Sequence, residues 1–480
     1  MKNSILISIT LLVSFFVFSQ QKQAEIKFEV TSIDYGEVEF ESDGKRVFKF
    51  TNIGTAPLVF ERISSSCGCT IPKKPEKPVQ PGESGEIEVE YDTKRVGLFM
   101  KAISVVSNSK NSSVVLRIKG EVLPEEDEDE EEDEKEKWVK INKYTFLKKT
   151  SLKPFNSFGV DAYAKKFVSV NSEKQILDFL DLNKSEKLLI LGAGTNILFR
   201  NNIQYPVIKI DIKGIEIINE DDKEVLISVG AGENWNELVW WCIDNDFGGI
   251  ENLVSIPGNV GSAPIQNIGA YGKEIKDVLE SCRGVFVENS SIKIFNNDDC
   301  NFSYRSSVFK EDLKNKFIIT NVTLRLSKIH HKINTEYSSL KQFLKENHIN
   351  KPTLKNIAES VSKIRSKKLP DYKKTGNAGS FFKNPTIGKS KLKEIGLSFP
   401  DLVSYNIGKS KYKISAGWLI EKCGFKKKEE KNVSVYKNQA LVIINLGKAK
   451  GIDIYNYSQK IKESVRKKFD ILLEEEVNII

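Results

Sequence analysis

The sequence predicts a multidomain chain: an N-terminal all-β, immunoglobulin-like sandwich, then a larger α+β region built in more than one part. Three observations predict it. From residue 27 to residue 122 apolar and polar side chains alternate with a period of two, the mark of strands with one buried face. Residues 125–134 are an unbroken run of ten acidic side chains, too charged to bury. From Trp138 onward short strand-like runs end in glycine turns, mixed with apolar residues spaced three and four apart. A chain of 480 residues has room for several domains.

Taken in order, residues 1–20 read as a secretory signal. Lys2 gives the positive end, residues 5–18 an apolar stretch broken only by Ser and Thr, and Val17-Phe18-Ser19 a cleavage site. The stretch is too short for a stable membrane span. The sandwich is placed at 24–122. There Ile87, Val89 and Tyr91 alternate with Glu86, Glu88 and Glu90, and Val114, Leu116 and Ile118 with Val115, Arg117 and Lys119. Turns at Asn52-Ile53-Gly54, Pro81-Gly82 and Ser107-Asn108-Ser109 divide it into about seven strands. Residues 123–140 read as an acidic, disordered linker. Next, Ser172-Glu173-Lys174-Gln175 forms a capping box before a helix with Ile176, Leu177 and Leu180 on one face. Residues 188–194 are a strand entering a glycine turn. Trp235, Leu238, Val239 and Cys242 share a helical face, as do Tyr457, Ile461, Val465 and Phe469, and residues 471–477 read as a final strand.

The formal net charge of +8 hides an asymmetry, because removing the acidic run leaves the rest at about +18. That excess suits anionic ligands and equally reflects a general lysine bias. No basic stripe with interleaved aromatics points to nucleic acid. The Cys67/Cys69 pair is too closely spaced for a zinc site, and no other residues show metal-ligand spacing. It reads as a redox pair or, with more weight, as a tight strand-edge loop. Cys242, Cys282, Cys300 and Cys423 are scattered, as expected of buried thiols in a reducing compartment.

Chemistry concentrates in a few segments. Residues 376–385, GNAGSFFKNP, set Ser380 between small residues and ahead of an aromatic pair, with Lys383 and Asn384 able to serve an anion. There is no GxSxG elbow, and His330, His331 and His348 are the only histidines, so a Ser-His-Asp hydrolase fits poorly. A serine hydroxyl can donate a proton directly; locally, a turn before a buried Phe-Phe strand explains the segment as well. Residues 188–199, LLILGAGTNILF, and 255–272, SIPGNVGSAPIQNIGAYG, are glycine-rich. The first is only a partial dinucleotide fingerprint. Together the two can offer backbone N–H groups to a pyrophosphate.

With FNSFGV (155–160), SYRSSVFK (303–310) and KLPD (368–371), these segments resemble, in order, the UDP-N-acetylenolpyruvoylglucosamine reductase family from about residue 146 to the C-terminus. The resemblance implies an α+β flavoprotein of the VAO/PCMH type, with a two-part FAD-binding region at 146–327 and an α+β substrate domain at 328–480 whose last strand returns to the catalytic site. It implies NADPH-dependent reduction of UDP-N-acetylglucosamine enolpyruvate to UDP-N-acetylmuramate, for peptidoglycan precursors. Hydride passes from NADPH through FAD, and a serine supplies the proton. Carried over residue by residue, Gly192, Ala193, Gly194, Thr195 and Asn196 form the first cofactor loop. Gly258, Gly261, Ser262, Gln266, Asn267, Gly269 and Tyr271 lie on the second, and the absence of His or Cys there implies non-covalent FAD. Arg305 holds the substrate carboxylate as negative charge builds, Ser380 protonates, and Glu476 assists from a protonated or hydrogen-bonded state. Strand alternation puts Glu474 on the same face as Glu476, so a slip of two residues stays open. Tyr337, Arg365, Lys368 and Asn384 contact the diphosphate.

IDYGEV, FTNIGTAPLVF and SSCGCT resemble an uncharacterised domain family of exported bacterial proteins, with no partner implied. The two resemblances disagree on compartment: the reductase belongs in the cytoplasm, whereas the signal implies the periplasm. A fused or merged pair with a cytoplasmic reductase is the preferred reading. The rival functions are an exported binding protein with a non-catalytic flavin fold, and an oxygen-using flavin oxidase.

Overall fold

The computed structural model describes residues 23–65, 70–73, 75, 77–95, 97–123, 138–141, 144–183 and 187–480. The expected signal, the Cys67/Cys69 pair and the acidic run fall outside them. The chain divides into two compact units, Met1–Asp129 and Glu130–Ile480.

In the first unit two four-stranded sheets face each other. One runs Ile26–Phe28, Lys45–Asn52, Ser84–Tyr91, Thr70–Lys73, and the other Ser32–Val38, Ser113–Val122, Gly97–Ser107, Phe60–Ser65. Among the described residues eight strands stand where about seven were expected. The period of two does what the sequence implied: Phe48, Phe50, Ile87, Val89, Leu116 and Ile118 point into a common core while their neighbours face water.

The second unit is built around a five-stranded sheet in the order Leu189–Leu191, Val207–Ile210, Tyr163–Val170, Tyr144–Ser151, Trp138–Ile141. Because Trp138–Ile141 pairs with Tyr144–Ser151, residues 138–140 belong to this sheet rather than to the linker. Both faces of the sheet are covered. Val168, Val170, Ile208 and Ile210 pack with the helix Glu173–Leu182 and with a second, antiparallel sheet formed by Ile215–Glu220, Glu224–Gly230, Phe317–Ser327, Leu279–Phe286 and Ile292–Asn296. Phe167, Leu189, Leu191 and Val207, on the opposite face, share a core with residues from 378 to 477. The hydrophobic cores therefore cut across the expected division at residue 328. Leu340 and Leu344 of Ser338–Glu346, and Ile357, Val361 and Ile364 of Leu354–Lys368, join the core of the antiparallel sheet, and only the chain after them joins the first sheet.

Local expectations are met with three differences. The helices Trp235–Asp244 and Gly451–Phe469 bury the faces assigned to them. At Glu173–Leu182 the Ser172 hydroxyl accepts from the Gln175 N–H at 3.3 Å, but the Gln175 side chain accepts from Asn171 N–H at 2.8 Å, so the capping box is not reciprocal. Cys423 is only half-buried, because it ends the helix Ala416–Lys422, while Cys242, Cys282 and Cys300 are buried. Residues 471–477 are not a regular strand. Their backbone touches residues 381–383 through one isolated bridge, Phe382 to Glu475, and ladder pairing begins only at Asn478–Ile479, parallel to Ile197–Leu198.

Candidate active site

The two glycine loops are set by steric necessity and meet each other. Gly194 has φ 65°, and a Cβ there would lie 1.8 Å from the Phe155 carbonyl oxygen, so only glycine fits. Its carbonyl accepts from Ser157 N–H at 3.0 Å. On the second loop Gly258 has φ 133° and accepts from Trp235 N–H at 3.0 Å, at the start of Trp235–Asp244. Gly261 N–H donates to the Ala231 carbonyl at 2.9 Å, with room for no side chain beside Ala231. Thr195 Oγ1 donates to the Pro257 carbonyl at 3.3 Å, and Asn196 Nδ2 to Gln266 Oε1 at 2.7 Å, joining the loops. The Ser262 hydroxyl closes its turn on the Asn259 carbonyl at 2.6 Å. Asn267, fully buried with φ 44°, donates to Glu274 at 3.0 Å and to the Ser303 carbonyl at 3.1 Å.

The cradle fits a flavin dinucleotide on three counts. Ala193 is half-buried beside Gly192, above which an added Cβ would meet nothing nearer than Asn259 Cβ at 4.0 Å. Ser157 Oγ and Asn252 Oδ1 are buried without a hydrogen-bond partner, beside Gly194 and Tyr271 respectively, and such orphaned atoms call for a ligand or water. Backbone amides at glycine turns are the donors a pyrophosphate needs.

Arg305, Glu476 and the Ser380 segment come together from three distant parts of the chain. Arg305 Nε donates to Glu476 Oε1 at 2.8 Å, with both side chains largely buried, and its Nη2 donates to the Gly269 carbonyl at 2.8 Å. That leaves three of the guanidinium's five N–H groups for a carboxylate ligand. Glu476 N–H donates to the Phe381 carbonyl at 2.8 Å, and its own carbonyl accepts from Asn196 at 3.2 Å. Ser380 precedes Phe381 at the end of the strand Gly376–Ser380, which is bulged against Gln439–Asn445, with Gly379 at φ 68° beside open space. Residues 376–377 are thus strand, not the turn that local composition suggested. Phe381 and Phe382 are fully buried and fix the segment from below. The three glutamates separate: Glu474 is exposed and pairs with Lys383 at 3.1 Å, Glu475 pairs with Lys462 at 2.8 Å, and only Glu476 reaches Arg305.

Around this trio the structure gathers cations and tyrosines. Tyr271, with φ 47°, stacks edge-on against Tyr337 at 5.1 Å between ring centres. Arg365 is part-buried, with its Nε buried and unpartnered, and burial works against its charge while Tyr271 favours it. Lys413 Nζ lies 3.3 Å from the ring centre of Tyr304, and burial, then Arg305, pushes that lysine's pKa down. Asn384 is near: its Oδ1 accepts from Ala416 N–H at 3.0 Å, and its side chain works against the burial that raises the Tyr304 pKa. Lys368 stands apart, exposed on the last turn of Leu354–Lys368. Sequence reasoning missed Tyr304, Lys310 and Lys413. Tyr304 and Lys310 lie inside the quoted SYRSSVFK, and only spatial neighbours single them out.

Gly194→Ala tests the cradle. The clash with Phe155 and the strained φ predict purified protein with markedly reduced flavin absorbance but a retained far-ultraviolet circular dichroism spectrum. Full flavin content would contradict the placement.

Comparison with known proteins gives the family. Residues 26–122 match the family model described as a protein of unknown function, DUF1573. Residues 164–293 match an FAD binding domain, and residues 370–480 the UDP-N-acetylenolpyruvoylglucosamine reductase C-terminal domain. The UDP-N-acetylenolpyruvoylglucosamine reductase of Flavobacterium johnsoniae is 48% identical over 330 residues, covering 69% of this chain and 98% of the relative. That of Amoebophilus asiaticus is 43% identical over 332 residues, covering 68% and 97%. The crystal structure of the Thermus caldophilus reductase covers 69% of this chain and 98% of its own, at 21% identity and a TM-score of 0.49. With two glycine loops, an Arg–Glu pair and relatives matched over nearly their whole length, the chain belongs to the UDP-N-acetylenolpyruvoylglucosamine reductase family.

Proposed function

We propose that the chain catalyses the NADPH-dependent reduction of UDP-N-acetylglucosamine enolpyruvate to UDP-N-acetylmuramate, a step of peptidoglycan precursor synthesis, with FAD as cofactor. The observation that carries the roles is the junction of Arg305, Glu476 and the Phe381 carbonyl next to Ser380. FAD, when bound, supplies the hydride to the terminal enol carbon, and NADPH restores it. Residues 192–196 and the loop 257–271 hold the dinucleotide through backbone N–H groups, without a covalent link. Arg305 binds the substrate carboxylate with its free N–H groups, and its charge stabilises the enolate-like species left after hydride addition. Glu476 is ion-paired with Arg305 in this state, so its support for the enolate runs through that pair rather than from an isolated carboxylic acid. The Ser380 hydroxyl, with no hydrogen-bond partner among the described residues, gives its proton to the adjacent carbon. Tyr337, Arg365, Lys368 and Asn384 bind the diphosphate.

No helix among the described residues is long and apolar enough to cross a membrane. We place the reductase in the cytoplasm, where NADPH and UDP-linked precursors are available, as one part of a fused or merged pair. Intact-mass analysis of the native protein checks this: a cytoplasmic product retaining residues 1–19 is expected, and a product found only in periplasmic extract without them sinks it.

Ser380→Ala separates the chemistry. The variant should keep its FAD and accept hydride from NADPH at the normal rate, while its reaction with the enolpyruvyl sugar slows by about 10²- to 10⁴-fold. Unchanged turnover would remove Ser380 as the proton donor, and flavin-free protein would favour a non-catalytic fold.

A further inference from the structure

We propose that Lys310 is a positioning residue for Arg305: its ammonium fixes the Arg305 peptide so that one guanidinium meets both Glu476 and the substrate carboxylate. The inference rests on the reading of the site given above. Arg305 holds φ 57°, a left-handed conformation that is strained for a non-glycine residue and persists only where neighbours impose it. The side chain is anchored twice, on Glu476 and on the Gly269 carbonyl. The backbone carbonyl is anchored by Lys310 Nζ at 3.1 Å, reaching back five residues past the Ser303–Ser306 turn.

Lysine side chains ordinarily extend their charge into water. This one is turned inward although its surroundings oppose it. Burial, then Lys383 and Arg305, push its pKa below the usual 10.5, with Glu476 and Glu311 pulling the other way. Glu311 also takes the Ser306 hydroxyl, so the acids nearby belong to the same turn or to the catalytic pair. A charge-assisted bond from the ammonium to the Arg305 carbonyl is stronger than one from a neutral amine. The hold should therefore weaken as pH rises through the lowered Lys310 pKa, and be complete below it.

The experiment compares full-length, FAD-loaded wild type with Lys310→Met, Lys310→Arg and Arg305→Gln by rapid mixing. The two half-reactions are followed separately: flavin reduction by NADPH, and flavin reoxidation by UDP-N-acetylglucosamine enolpyruvate without oxygen. Lys310→Met should bind FAD normally, be reduced by NADPH within about twofold of wild type, and reoxidise about 10- to 100-fold more slowly, the size of a small misplacement of a catalytic group. Lys310→Arg should recover most of that loss. The alkaline fall of wild-type reoxidation should move to higher pH in Lys310→Arg and vanish in Lys310→Met. Wild-type reoxidation in Lys310→Met, an unmoved alkaline limb in Lys310→Arg, or equal loss of both half-reactions would each overturn the proposal. Arg305→Gln keeps the two failures apart: slow reoxidation there with a normal Lys310→Met sinks only the positioning role, whereas normal reoxidation in Arg305→Gln sinks the underlying assignment.

Discussion

The site depends on one residue near the C-terminus. Glu476 donates its N–H to Phe381, accepts at its carbonyl from Asn196, and gives its carboxylate to Arg305. Those contacts join the serine strand, the first glycine loop and the arginine turn, segments that are 95 or more residues from Glu476 in the sequence. The chain on either side is pinned as well: Lys383 N–H donates to the Glu474 carbonyl at 2.9 Å, and Asn478–Ile479 pairs with Ile197–Leu198. An ion pair that is largely buried is strong only when its geometry is fixed from outside, and here the backbone bonds supply that fixing.

The pair also sits in an unusual field. Lys310, Lys383 and Lys413 gather near Arg305, and burial lowers the pKa of Lys310 and of Lys413. Lys383 is matched by Glu474 and Arg305 by Glu476, whereas Lys310 and Lys413 form no ion pair among the described residues, so positive charge is in excess here. That excess favours a ligand that brings its own negative charge, such as a carboxylate and a diphosphate. Under the roles proposed for these residues, the same arrangement would stabilise charge that appears only as the enolpyruvyl group is reduced, because the donors are already oriented.

Much of this was legible in the sequence, for local reasons. Period-two alternation marked the sandwich, and glycines at 194 and 258 marked turns whose positive φ favours glycine. The order of motifs brought Arg305, Ser380 and Glu476 into one hypothesis. What stayed hidden depends on contacts across long stretches of chain. Nothing local says that residues 378–477 share a core with the first sheet while the two preceding helices do not. The run Glu474-Glu475-Glu476 looks uniform until Lys383, Lys462 and Arg305 each claim one. Residues 471–477 alternate like a strand, yet their partner is a loop, which breaks the ladder after one bridge.

The proposed chemistry requires that Arg305 and Glu476 act as one unit. A double-mutant cycle with Arg305→Gln, Glu476→Gln and the double variant, read as the rate of flavin reoxidation by the enolpyruvyl sugar, tests it most directly. Strong coupling is expected, with the double variant no slower than the worse single one. Two losses that simply multiply would contradict it.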